Sequence, residues 1–204
     1  MSDIFIALLM VVNAIICFSN AKAAGKVWAE AKAVGGWIQI VVWCAAIQAA
    51  LGFSYVYLYI LMSIGFEFDL ISYRTMGFVY SLEYFFIILP IVGTGIIMTV
   101  ESWINAARER SLLNLGVAGW NTFATAYNMY HVINAFGPAF DNVKEFFNGI
   151  TSDDSDDDSF DAIVLVAVAL AAGVVTTMII VQRYAGTLPI SEAVRQHAGE
   201  LAGA

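Results

Sequence analysis

Charge is scarce in this chain: only 13% of its 204 residues are charged, against about a quarter in ordinary soluble domains. Nine residues are Lys or Arg, too few to build the basic stripe that a phosphate backbone requires, so no nucleic-acid partner is implied. Two cysteines and two histidines exclude a disulfide-stapled domain and leave a metal or nucleophile centre little to work with. The sequence has no Cys-x-x-Cys, His-x-x-x-His or Gly-x-Ser-x-Gly, and Gly93-Thr94-Gly95 lacks the rest of a phosphate loop. Neither an enzyme nor a cofactor or metal is therefore implied. What is abundant is apolar, with 60% hydrophobic side chains. A chain this short cannot bury that much apolar surface in one water-soluble core, so a lipid bilayer must cover much of it.

The net charge of −8 is a local feature. Asp153, Asp154, Asp156, Asp157, Asp158 and Asp161 crowd into one run, and the rest of the chain is nearly neutral. A calcium loop begun at Asp154 would place further acids at Asp156 and Asp158. Ser159 then stands where the glycine belongs, and Leu165 where the bidentate glutamate belongs. The pattern fits a hydrated linker over 141–161, with a weak cation site at Asp154, Asp156 and Asp158 as the alternative. Cys17 and Cys44 both lie in apolar stretches and read as small hydrophobes.

Hydropathy and charge parity predict an all-α, polytopic membrane bundle of about five transmembrane helices forming a single membrane domain. The first span, 4–20, has the length of a signal-peptide core, but Met1-Ser2-Asp3 supplies no positive flank, so a retained, rather short helix is expected. The second, 37–64, holds 28 residues without a charge, roughly 42 Å of helix against roughly 30 Å of hydrocarbon, so it must tilt, bend or project. The third, 76–100, carries Glu83 and Pro90, and a kink is expected at the proline. The last, 162–182, is the cleanest. Segment 112–136 has the length of a span but is interrupted by polar side chains. Lys22, Lys26 and Lys32, then Arg108 and Arg110, then Arg183 mark three cytoplasmic places. That parity requires 112–136 to cross. It puts the N-terminus and the acidic linker outside, and the C-terminal tail 183–204 inside.

Asn114, Asn121 and Asn128 recur every seven residues, so they share one face of the fourth span; His131 and Asn134 continue that face approximately. Such a stripe either lines an aqueous path or bonds packed helices together. Gly116, Ala118 and Gly119 permit close approach on the same helix, and Ala169 with Gly173 offers a second close-contact face on the last. Glu83 is an intramembrane carboxylate, a functional-site feature by default: it would stay protonated, pair with a donor such as a tyrosine or Gln48 on a neighbouring helix, or face water in a pore or near the outer interface. Glu101, Arg108 and Arg110 read as a solvated cytoplasmic helix end, with local ion pairing expected.

These features point to a non-enzymatic membrane subunit of an oligomeric pore or of a translocation or secretion-type assembly. It would associate through its transmembrane helices with copies of itself or with other membrane subunits. The competing readings are an ion- or proton-coupled transporter or channel subunit using Glu83, and an accessory or scaffold subunit of a larger complex. The setting expected is a cell membrane, of the prokaryotic inner-membrane kind.

Overall fold

The computed structural model describes residues 3–151 and 157–185, and among these every regular element is a helix. In chain order they are α1 (Asp3–Val34), α2 (Gly36–Glu67), α3 (Tyr73–Glu83), a π turn (Tyr84–Ile88), α4 (Leu89–Arg108), α5 (Leu112–Thr151) and α6 (Asp157–Tyr184). Four stretches are long and apolar enough to cross a membrane, Ile6–Val34, Gly36–Glu67, Tyr73–Arg108 and Asp158–Tyr184, as a multi-pass membrane protein requires.

Local chemistry sets the breaks between helices. Gly35 and Gly36 take φ of +69° and +62°, a left-handed backbone open to glycine at little steric cost, and they turn α1 into α2. Ser72 caps α3 by accepting the Thr75 N–H at 3.0 Å, and Ser111 caps α5 by accepting the Asn114 N–H at 3.1 Å. The irregularity expected at Pro90 takes the form of the π turn just before it. Pro90 has no N–H to give the Phe86 carbonyl and its ring would crowd that oxygen, so the helix widens there.

The central helix is α2, packed against α1, α4 and α6. Leu58 and Met62 of α2 meet Phe78 and Val79 of α3, Ile87, Phe146 of α5, and Ala162, Val166 and Ala169 of α6 in the largest core cluster. A seam of Ala162, Val166, Ala169, Gly173 and Thr177 runs down α6, all buried. A β-carbon at Gly173 would lie 2.4 Å from the Ala50 carbonyl oxygen, so the two backbones touch. The close-contact face foreseen at Ala169 and Gly173 is thus occupied within the chain, by α2. Cys17 is buried against Gly52 in a smaller cluster with Ala21, Ala49, Phe53 and Ile180, and both cysteines are free.

Helix α5 lies antiparallel along the whole of α3 and α4. Trp103 donates to Thr122 at 2.9 Å, the Tyr84 hydroxyl donates to the Val132 carbonyl, and the Phe78 and Phe146 rings meet edge to face at 5.4 Å. Among the described residues the buried positions on α5 are Ala118, Val132, Ala139 and Phe146, with half-buried Thr125 completing a strict seven-residue seam. Hydropathy does not place α5 with the four apolar stretches, because its other faces carry amides and aromatic rings.

Three expectations change. The first helix is not short but runs 32 residues to Val34. Residues 141–151 are helix rather than linker, held by Phe146 in the core and by Lys144 pairing with Asp141 at 3.7 Å. No ion pair forms at the Glu101, Arg108 and Arg110 end among the described residues. Instead α4 stops at Arg108, Arg110 lies in the turn, and Glu101 accepts the Trp37 indole N–H.

Ion contacts and hydrogen bonds sort the connections into two ends. Trp37 with Glu101, Lys22 over the Tyr184 ring and Gly25 against Val181 gather the α1–α2 turn, the α4–α5 turn and the end of α6 together. At the other end Ser72 and Thr75 both donate to the Asp158 carboxylate, and Arg74 reaches Glu145 at 4.0 Å.

Candidate functional site

An open groove of about 510 Å³ has α1 and α5 as walls and α2 and α4 as floor. Its polar lining is almost entirely amide: Asn13 and Asn20 from α1, Gln48 from α2, and Asn121 and Asn128 from α5, with Ser19 and Thr125 beside them. No charged side chain lines it among the described residues.

Each wall is positioned by its own helical period. Asn13 and Asn20 are seven apart, as are Asn121 and Asn128, so each pair stays on one face. The floor is kept open by small side chains. A β-carbon at Gly52 would collide with the Cys17 sulfur, and one at Gly95 would lie 3.2 Å from the Thr125 hydroxyl. Asn13 is fixed by donating to the Gly52 carbonyl at 3.4 Å and accepting from the Cys17 thiol at 3.7 Å. Thr99 hydrogen-bonds Thr125 at 2.9 Å and donates to the Asn121 backbone carbonyl at 3.2 Å. The Asn121 backbone therefore joins the α4–α5 contact while its amide faces the groove. The Asn20, Gln48, Asn121 and Asn128 side chains form no hydrogen bond among the described residues.

The asparagine stripe divides. Asn121 and Asn128 line the groove, whereas Asn114 donates to the Glu109 carbonyl at 3.0 Å and secures the α4–α5 turn. A smaller pocket that also involves Glu101, Ser102 and Asn105 still connects Asn114 with Asn121. His131 and Asn134 leave the stripe altogether. His131 is exposed, with its ring 4.3 Å from that of Tyr127, and Asn134 bonds its own helix at the Tyr130 carbonyl at 2.8 Å. At 3.6 residues per turn the spacings of three and six from Asn128 accumulate rotation, and the face is lost. Gly116 and Gly119 have open space around them, so within this chain only Ala118 makes the close approach.

Glu83 occupies a second cleft, of about 420 Å³, nearer the Ser72 end. The sequence offered a tyrosine or Gln48 as its neighbour. Tyr55, Tyr59 and Tyr80 share its cleft, while Gln48 belongs to the amide groove. Asp154 and Asp156 lie outside the described residues, and Asp158 is engaged by Ser72 and Thr75. Among the described residues no three His, Cys, Asp or Glu gather as a metal centre would need.

Asn13, Asn20 and Gln48 are the groove amides that the sequence reading did not place there. The seven-residue spacing of Asn13 and Asn20 inside an apolar stretch was the available signal. Comparison with protein-family models, curated proteins and solved structures finds no match for this chain.

Proposed function

We propose that this chain is a non-enzymatic subunit of an oligomeric pore or translocation assembly, and that the amide groove is where a neighbouring transmembrane helix or a shared aqueous path meets it. The observation that carries this reading is the open side of the groove. Four amide side chains, those of Asn20, Gln48, Asn121 and Asn128, face it without a hydrogen bond among the described residues. In a membrane such groups are costly unless they meet polar partners or water. Both answers lie beyond the single chain: a helix from another subunit, or a path enclosed when subunits assemble. The rim supports contact too, because Trp120 lines the groove and stands exposed on α5.

The positive-inside rule sets the orientation we propose. Lys22, Lys26, Lys32, Arg108, Arg110 and Arg183 belong to the end that holds the α1–α2 turn, and that end is cytoplasmic in a cell membrane, with α5 counted as a fifth crossing.

Assembly and permeation test the function. Wild-type protein in nanodiscs should give an oligomeric native mass and should conduct in planar bilayers. Asn121→Leu should weaken assembly if the amides bond a neighbouring helix, or preserve assembly and reduce permeation if they line a path. A wild-type protein that stays monomeric in mild detergent and in nanodiscs, with the variant unchanged, overturns the reading.

A further inference from the structure

The second cleft has a different chemistry from the amide groove. Its walls come from α1, α2 and α3, and they are made of aromatic, methionine and aliphatic side chains, among them Tyr55, Tyr59, Met62, Phe66 and Tyr80. Glu83 is the one ionisable acid or base in the lining, and among the described residues no hydrogen bond or ion pair engages its carboxylate. A negative charge on this carboxylate would therefore find no counter-charge among the described residues.

We propose that this cleft binds an organic monocation, a primary or quaternary ammonium group carried on an apolar body. Three features select that class. One carboxylate balances one positive charge, while a divalent metal would want further carboxylate or carbonyl ligands, and beside Glu83 the described lining offers only the hydroxyls of Ser63 and three tyrosines. Tyrosine rings attract a cation through the negative potential of their faces, most strongly where water is excluded. The thioether and aliphatic walls suit a hydrocarbon body, and about 420 Å³ falls within the usual range for small-molecule sites. A small hydrated inorganic cation would exchange its water shell for one carboxylate and scattered hydroxyls, leaving the aromatic, methionine and aliphatic walls unused. The two ends of such a ligand thus find separate surfaces, the ammonium at Glu83 and the rings, the body along α1. The site stands independently of the role given to the amide groove.

Calorimetric titration of the full chain in nanodiscs of zwitterionic phosphatidylcholine tests it, using benzyltrimethylammonium and its uncharged carbon isostere neopentylbenzene. Wild type should bind the cation saturably and more tightly than the isostere. Glu83→Gln should weaken the cation at least about tenfold, the scale for losing a desolvated charge partner, and leave the isostere within about twofold, since a neutral ligand makes no charge pair. Tyr80→Phe should keep the affinity, and Tyr80→Leu should lower it about threefold or more as a ring is lost. Glu83→Asp, which retains the charge, should preserve the preference for the cation and serves where the Gln variant fails to fold. Equal binding of cation and isostere by wild type overturns the proposal, as does no saturable cation binding or an unchanged affinity in Glu83→Gln. None of these outcomes bears on Asn121→Leu, so the two readings fail separately.

Discussion

Gly173→Ala is the substitution whose cost can be worked from distances. The added β-carbon would sit 2.2 Å from the Ser54 hydroxyl, 2.4 Å from the Ala50 carbonyl oxygen and 2.6 Å from the Ser54 nitrogen. Comfortable separations are about 3.5 Å, so α2 and α6 must part by about 1 Å at this point, and the loss spreads along the seam from Ala162 to Thr177. Overpacking of this kind costs about 1–3 kcal/mol, a drop of about 5- to 150-fold in the folding equilibrium. Reversible unfolding in mixed lipid–dodecyl sulfate micelles, followed by circular dichroism, reads it. Adding Ser54→Ala should recover little, because two of the three colliding atoms belong to the backbone. Gly119→Ala is the control: it has open space around it, so it should be neutral or stabilising by up to about 1 kcal/mol. A Gly173→Ala protein as stable as wild type, or a Gly119→Ala protein equally damaged, would refute the reasoning.

Two further outcomes follow from individual hydrogen-bonding groups. Asp158→Leu removes the acceptor shared by Ser72 and Thr75 and should cost about 1–3 kcal/mol, with amide exchange quickening at Thr75 more than in the middle of α6. Tyr84→Phe leaves the ring in place but deletes the buried bond to the Val132 carbonyl. It should cost about 1 kcal/mol in the same unfolding assay, and a variant indistinguishable from wild type would show that this bond contributes nothing to holding α5.

Much of the architecture was legible in the sequence because membrane helices write themselves as long apolar runs. The charge-free stretch 37–64 lies inside α2, and 162–182 lies inside α6. Helix ends were less legible. Nothing in the apolar pattern carried α1 to Val34 or α5 to Thr151, since those turns are held by packing and ion contacts that hydropathy does not measure. The groove was legible on one wall only. A seven-residue spacing found Asn121 and Asn128, but it also admitted Asn114, which a turn carbonyl claims, and its approximate continuation at spacings of three and six took in His131 and Asn134, which rotation removes. Which helix faces the stripe is a tertiary fact, so Asn13, Asn20 and Gln48 could not be assigned to it from their positions alone. The neighbours of Glu83 have the same character, since Tyr55 and Tyr59 come from a helix distant in sequence.

The π turn at Tyr84–Ile88 also acts as a phase shifter. Glu83 and Ile91 are eight residues apart, and a regular helix would carry Ile91 roughly 80° around the axis from Glu83. A π turn takes up about one extra residue, roughly 100° of rotation. Eight residues then count as seven, and Ile91, Gly95 and Met98 of the amide groove return to the side on which Tyr80 and Glu83 meet their own cleft. The two concavities consequently lie along one stripe of a single long helix. Losing one residue within Tyr84–Ile88 would convert the turn to ordinary helix and keep that alignment, whereas losing one within Tyr73–Glu83 would swing Tyr73 and the preceding Ser72 cap away from Asp158.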